Sequence, residues 1–263
     1  MKTPEKLHEI YGETVSLITP SGFSVVLRQQ NGDDDDVISN SGDASDGTSI
    51  NKFVAAIVVD SDINPRGTIT LQDVMEMKLC DKYFIIIASR IFSLGQFLKF
   101  DFKWENVIEP VAYEEDLAKY IWDYTKREFP IKPNDLGFFE YRIQPHIAGK
   151  EKTKEFNTRT GKKLKYTFIN GNGEKYLMTL SDNSQSKNQE ILARELYLWL
   201  EERWTRVQNF KTFSPMEMVD IRNEINENDP TINLVTDLEN PITHSKVPYP
   251  IVGTTDFFFP RAI

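Results

Sequence analysis

With 263 residues, 40% hydrophobic and 27% charged, the chain has the make-up of a globular protein, one large domain or two small ones. A net charge of −9 excludes broad attraction to nucleic-acid phosphates, and the single cysteine, Cys80, excludes an internal disulfide or a cysteine-built zinc site. The opening MKTPEKLHEIYGE lacks a signal peptide's apolar core, and no apolar run approaches the ~20 residues that span a bilayer, so a reducing cytoplasm and no membrane contact are expected.

Residues up to Tyr11 read as a short helical turn or arm. Thr14 to Ile18 and Phe23 to Gln29 read as strands around the turn Pro20-Ser21-Gly22. Asn31 to Ser49, rich in Asp, Ser and Gly, has the composition of a mobile acidic loop. Lys52 to Val59 fits a buried strand or a short helix, and length does not choose between them. The stretch from Thr70 to Trp104 is the expected nucleus. Thr70 and Asp73 make a capping-box pattern. Leu71, Val74, Met77, Phe84, Ile87 and Ile91 then recur at helical steps over about 71–94, and from Tyr83 to Ile91 the apolar character wraps almost all round. After Gly95 come Phe97 and Leu98, and then Phe100, Phe102 and Trp104 alternate with Lys99, Asp101 and Lys103, which predicts a half-buried strand.

Glu114 to Arg127 shows a helical face of Leu117, Tyr120, Ile121 and Tyr124, and Phe138 to Ile143 a strand. Lys163 to Ile169 and Glu174 to Leu180 flank Asn170-Gly171-Asn172-Gly173 in the manner of a hairpin. Ile191, Leu196, Trp199, Leu200 and Trp204 place a second long helix over about 187–208. Ser214-Pro215-Met216-Glu217 caps a helix to about Glu227, and the chain then runs extended to its end. The prediction is an α+β fold, with small mixed β-elements around two long helices (about 71–94 and 187–208) and a β-hairpin near 163–180. An N-terminal lobe over 1–108 and a C-terminal lobe over 109–263 are expected.

The chemistry-bearing residues do not assemble into a catalytic set. His8, His146 and His244 lack ligand-spaced neighbours. Asn31, Asp33 and Asp35 alternate as calcium ligands would, but the sixth and twelfth places hold Asp36 and Gly42 where an EF-hand needs Gly and Glu. Lys150, Lys152, Lys154, Arg159, Lys162, Lys163 and Lys165, interleaved with Phe156 and Tyr166, have the ingredients of a single-stranded nucleic-acid groove, diluted by Glu151 and Glu155. The Asn-Gly repeat lacks the Gly-Lys-Ser/Thr ending of a phosphate loop, and no Gly-x-Ser-x-Gly elbow exists. Asp81 and Arg90 sit in the apolar helix, where burial would demand partners. Three consecutive aromatics, Phe257, Phe258 and Phe259, must be covered on both faces, either in the protein's own sheet or on a neighbouring subunit. The acidic residues Asp33, Asp34, Asp35 and Asp36 and the aromatic Phe257, Phe258 and Phe259 are the candidate partner contacts. No catalytic residue, cofactor or metal is singled out.

Three patterns in this order resemble a family of myovirus tail proteins, the T-even phage baseplate hub and hub-assembly proteins. They are Pro20-Ser21-Gly22, then Arg90-Ile91-Phe92-Ser93-Leu94-Gly95, then Phe257-Phe258-Phe259-Pro260; Ser214-Pro215-Met216-Glu217 leading to Asp229-Pro230 is also similar. The resemblance implies a virion structural protein of the contractile-tail baseplate, assembled in the host cytoplasm. Its partners would be other tail and baseplate proteins in a hetero-oligomeric assembly. The same resemblance admits an assembly chaperone absent from the mature particle; a single-stranded nucleic-acid-binding accessory protein and a metal-dependent enzyme using the Asp run are further alternatives. Family members carry cysteine pairs in the later half; Leu238 to Pro248 here has none, so no zinc is carried over.

Overall fold

The computed structural model describes residues 4–39, 47–121, 139–140, 149–180, 186–229, 232, 234–252 and 255–259. The chain opens with helix α1 (Pro4–Tyr11) and the hairpin β1 (Thr14–Ile18) and β2 (Ser24–Arg28), followed by helices α2 (Gly32–Ser39) and α3 (Thr48–Ile57). Residues 52–59 satisfy both readings of their sequence, because α3 passes directly into β3 (Val58–Ser61). Next come α4 (Leu71–Glu76), α5 (Leu79–Leu94), the antiparallel pair β4 (Phe97–Phe102) and β5 (Val111–Asp116), and α6 (Ala118–Ile121). Strand β6 (Phe139–Glu140) runs parallel to β1 and completes a sheet of order β3-β2-β1-β6. A second sheet, β10-β9-β8-β7, is built from β7 (Thr153–Asn157), β8 (Lys163–Thr167), β9 (Tyr197–Leu200) and β10 (Arg203–Arg206). Helices α7 (Gly171–Met178) and α8 (Lys187–Leu192) lie between β8 and β9 in sequence. Helix α9 (Pro215–Asn228), the hairpin β11 (Val235–Glu239) and β12 (Lys246–Pro250), and the helical turn α10 (Thr255–Phe258) end the described chain. The architecture is α+β, with small and mainly antiparallel sheets.

Both capping boxes form as their sequences predict, Thr70 with Asp73 and Ser214 with Glu217. The helix expected over 71–94 is nevertheless two helices. Met77 and Lys78 adopt ψ of 141° and 143°, and the next amide, Leu79 N–H, donates to the Ile169 carbonyl at 3.0 Å. Pairing with a strand end far along the chain replaces one turn of intrahelical bonding here.

The second long helix, 187–208, is not present as such. It stops at Leu192, and Tyr197–Leu200 and Arg203–Arg206 form a hairpin instead. The spacing of Leu192, Leu196 and Leu200 imitates a helical stripe, while Leu196 to Leu200 also alternates with period two. The reversal falls at Glu201 and Glu202, with φ of +47° and +61°, where tight hairpins favour Asn-Gly, so the sequence carries no turn signal.

The hairpin expected at 163–180 is replaced as well. β8 pairs with β7 on one side and β9 on the other, and residues 171–178 are helical. Asn170 caps α7 by accepting the Gly173 N–H at 3.0 Å. The two glycines serve close packing. A Cβ on Gly171 would lie 2.9 Å from the Met75 Cα, and one on Gly173 2.6 Å from the Ala193 carbonyl oxygen.

Three further expectations change in detail. The acidic loop at 31–49 contains α2 and the start of α3, with 40–46 outside the described residues. The helix expected over Glu114 to Arg127 begins as β5 and is helical at 118–121, and 122–127 lie outside the described residues. The terminal aromatic run is a helical turn, not an extended segment. Of Phe138 to Ile143, the described Phe139–Glu140 is strand.

Two apolar clusters hold the molecule together. The first draws on β1, β2, α3, α5, β4 and α6, and also on Leu238, Ile251, Phe257 and Phe258 from the end of the chain. A division at residue 108 would cut through it. The second joins Leu164, Tyr166 and Phe168 to Met218, Ile221 and Ile225 of α9. Leu79, Ile169 and Ala193 form a small bridge between them.

Helix α5 contributes to the first cluster and, through Leu79, to the bridge, and its buried charged-type side chains are partnered across the fold. Asp81, fully buried, accepts the Ser21 N–H at 2.8 Å; burial pushes its carboxyl above the usual range. Arg90, 1% exposed, donates from Nε to the Phe257 carbonyl at 2.7 Å and from Nη1 to the Gly95 carbonyl at 2.9 Å. Burial draws its guanidinium down to about 10.

The close approach at α7 gives a paired expectation. Gly173→Ala overpacks the contact with Ala193 and lowers stability by about 1–3 kcal/mol. Gly32→Ala, with nothing within 4 Å of the new Cβ, is neutral or stabilises α2 by up to about 1 kcal/mol. Urea midpoints of the two variants check both signs.

Candidate functional site

The acidic run becomes a helix because carboxylates in a first turn lie at its positive end. Its members then take different roles. Asp33, Asp35 and Asp36 are exposed. Asp34 is 2% exposed and receives both Arg28 terminal nitrogens at 2.7 Å, plus the Asn31 N–H at 2.9 Å. This bidentate pair fastens α2 to the end of β2. Helical geometry also separates Asp33 from Asp35 by roughly 200° around the axis, opposite to the convergence a cation needs. Among the described residues no group of three His, Cys, Asp or Glu side chains is placed to hold a metal ion.

The aromatic run divides in a similar way. Phe257 is fully buried and Phe258 is 5% exposed, edge-on to Phe53 with centroids 5.5 Å apart. These two are core side chains of their own chain, packed as a helical turn against α3 and β4 and not as a further strand of a sheet. The helical turn that carries Phe257 and Phe258 sends successive rings about 100° apart around its axis, where a strand would send them to opposite faces. Phe259 is half-buried at the edge of this cluster.

The end of α2, beyond the acidic run, and the aromatic turn both reach one cavity of about 730 Å³, whose wall includes none of Asp33 to Asp36. Ile38 and Ser39 at the end of α2 line one part and Phe258 and Phe259 another, with Met178 of α7 and Val235 of β11 also on the wall. The size lies within the ~300–1,000 Å³ of ordinary binding pockets. Its ionisable groups come from α5 and α7. Lys82 Nζ bonds to Glu174 Oε2 and to Asn51 Oδ1, the latter at 3.2 Å, while the Tyr83 hydroxyl donates to Glu174 Oε1. Burial first, and the Glu174 charge second, push the Tyr83 phenol well above its ordinary range. A carboxylate with both oxygens engaged, beside a phenol held protonated, offers hydrogen bonds and apolar surface, not proton transfer. Sequence reasoning missed Lys82 and Glu174. The one available signal is a lysine in the buried turn between Leu79 and Ile91, the same anomaly that marks Asp81 and Arg90.

The basic stretch is largely neutralised by ion pairs. Lys150 pairs with Asp62, Lys152 with Glu76, Lys154 with Glu224, Arg159 with Asp220, Lys162 with Glu217 and Lys163 with Glu155, at 2.6–3.2 Å. Phe156 is half-buried and Tyr166 fully buried, both turned toward the second core, so neither forms a stacking platform. Glu217 combines its cap role with contacts to Thr160 and Lys162, which together draw its carboxyl down to about 2. His244 is exposed and bonds to Glu239 at 2.8 Å. The His8 side chain and all of His146 lie outside the described residues. Cys80 is buried, and desolvation pushes its thiol up, which suits packing and not reactivity.

No helix among the described residues is long and apolar enough to cross a membrane. Comparison with family models, curated proteins and solved structures returns no match.

The cavity's ion pair gives a double-mutant expectation. Glu174→Leu strands Lys82, whose side chain is 2% exposed, and costs about 3–5 kcal/mol. Lys82→Met costs less, because Glu174 at 17% exposure keeps some water. The double variant recovers most of the loss; urea unfolding of all three quantifies the coupling.

Proposed function

We propose that the protein is a non-enzymatic structural component of a contractile phage-tail baseplate that works through contacts with other baseplate proteins. The observation that supports this most is how the resembling motifs relate in space. Pro20-Ser21-Gly22 is tied to α5 by the Ser21–Asp81 bond, across 60 positions. Arg90 and Gly95, from the second motif, are joined to each other and to the third through the Phe257 carbonyl, across 167 positions. Residues from three short patterns scattered along the chain are thus joined through α5, which is what a shared fold would preserve.

The contact role follows from the chemistry left on the surface. The buried ionisable groups of α5 are occupied in holding the fold, and the cavity is mainly apolar. Contacts to neighbouring baseplate proteins fall to the exposed acids Asp33, Asp35 and Asp36 and to the cavity edge at Phe259. Phe257 and Phe258 stabilise the platform on which that edge stands. Asp34 does the same for α2.

Mass spectrometry of purified phage particles tests the proposal. Peptides of this chain at stoichiometric amounts relative to other tail proteins are expected. Their absence from particles, with presence in assembly intermediates of infected cells, would instead assign the chain to the chaperones that leave before completion. Absence from both would end the baseplate reading.

A further inference from the structure

The second sheet has one covered face and one open face. Leu164 and Tyr166 of β8 pack inward against Met218, Ile221 and Ile225 of α9. Strand alternation sends Lys163, Lys165, Tyr197, Trp199, Trp204 and Arg206 to the opposite side. Trp199 and Trp204 face each other across β9 and β10, with ring centroids 5.0 Å apart and planes at 68°. Trp199 is 39% exposed, and neither ring belongs to the hydrophobic clusters of the described residues. Lys165 Nζ lies 4.5 Å from the Trp204 ring centre, and Lys163 Nζ 5.4 Å from that of Trp199.

This face also borders an open backbone edge. Among the described residues the sheet ends at β10. Arg203 is paired with Leu200 across a two-residue turn, and the Val207 N–H donates to the Leu196 carbonyl at 2.8 Å. In an antiparallel ladder such bonds alternate, so Arg203, Thr205 and Val207 bond inward. Trp204 and Arg206 therefore aim their amide and carbonyl groups outward. An edge of this kind is a pairing template, and here it is flanked by cations and bulky rings.

We propose that β10 and the Trp199–Trp204 face dock an acidic, extended segment of a partner protein, added to the sheet as a further strand. The segment's main chain bonds to the outward groups of Trp204 and Arg206. Its carboxylates reach Lys165 and Arg206, and its intervening apolar side chains cover the two indoles. Charge selects this occupant. Lys163 and Arg206 are each met by one acid, Glu155 and Glu195, while Lys165 has no ion pair among the described residues, so the face keeps one uncompensated cation in a chain whose net charge is −9. Single-stranded nucleic acid fits less well, because two indoles locked edge-to-face leave no parallel platform for successive bases. The inference concerns the second sheet alone and stands or falls separately from the baseplate reading.

Fluorescence anisotropy with the full chain tests it, using a labelled peptide that alternates Glu and Val. The peptide binds, more weakly as salt rises, and Lys165→Glu with Trp204→Ala weakens binding by about tenfold or more while the circular dichroism stays unchanged. The same peptide N-methylated at alternate residues along its bonding edge loses binding, a readout independent of any change to the protein. Equal binding of the N-methylated peptide, tighter binding of an oligothymidylate, or no binding of the Glu-Val peptide would each overturn the proposal. So would self-association of the chain through this edge, seen by sedimentation and abolished by Trp204→Ala.

Discussion

A charged-type side chain buried in an apolar helix has to find a hydrogen-bonding partner, and helix α5 contains three such residues, Asp81, Lys82 and Arg90. The cost of leaving a charge or a carboxyl unpaired in that position is several kcal/mol, a large part of a domain's net stability. Asp81 meets the requirement with a backbone amide of the first hairpin turn, Lys82 with Glu174 and Asn51, and Arg90 with carbonyls of Gly95 and Phe257. The partners come from the beginning, the middle and the end of the chain. One helix thereby fixes the relative positions of segments that no local rule would bring together.

The same requirement explains how the two apolar clusters meet. The break between α4 and α5 lets Leu79 bond to Ile169, and Lys78 reach the Gly149 carbonyl at 2.7 Å while lying over the Phe168 ring. Asp229, at the end of α9, accepts the Ile169 N–H at 3.0 Å and Arg194 Nε at 2.6 Å, so the strand end that meets α5 is held from its other side too. Gly171 and Gly173 then allow α7 to approach closely enough for Glu174 to reach Lys82. The cavity lies beside this junction, and its polar groups are by origin structural.

Local signals in the sequence are sound guides where the physics is local. The two capping boxes, the hairpin of β1 and β2, and the alternation in β4 need only neighbouring residues, and all form. Sequence reasoning fails where a distant partner decides the outcome. Nothing near Met77 announces that Ile169 will interrupt the helix there. Asn170-Gly171-Asn172-Gly173 has the composition of a turn, but its glycines answer to Met75 and Ala193, far away in sequence. The hairpin of β9 and β10 turns on two glutamates in a left-handed conformation, which composition does not flag. The candidate site is legible only in part: the acidic and aromatic segments stand out, the cavity between α2, α7 and the aromatic turn does not. Asp81 and Arg90 stand out because a charge in an apolar stripe is visible without knowing the fold.

Hydrogen–deuterium exchange, resolved along the chain, tests the central claim that α5 organises the fold through its buried charged and polar groups. Amides of residues 255–259 and of the turn at Ser21 should exchange as slowly as those of α5 itself. Replacing Arg90 by Met should speed exchange in the tail far more than in the second sheet. Rapid exchange of the tail in the unmodified protein, with α5 fully protected, would contradict the account.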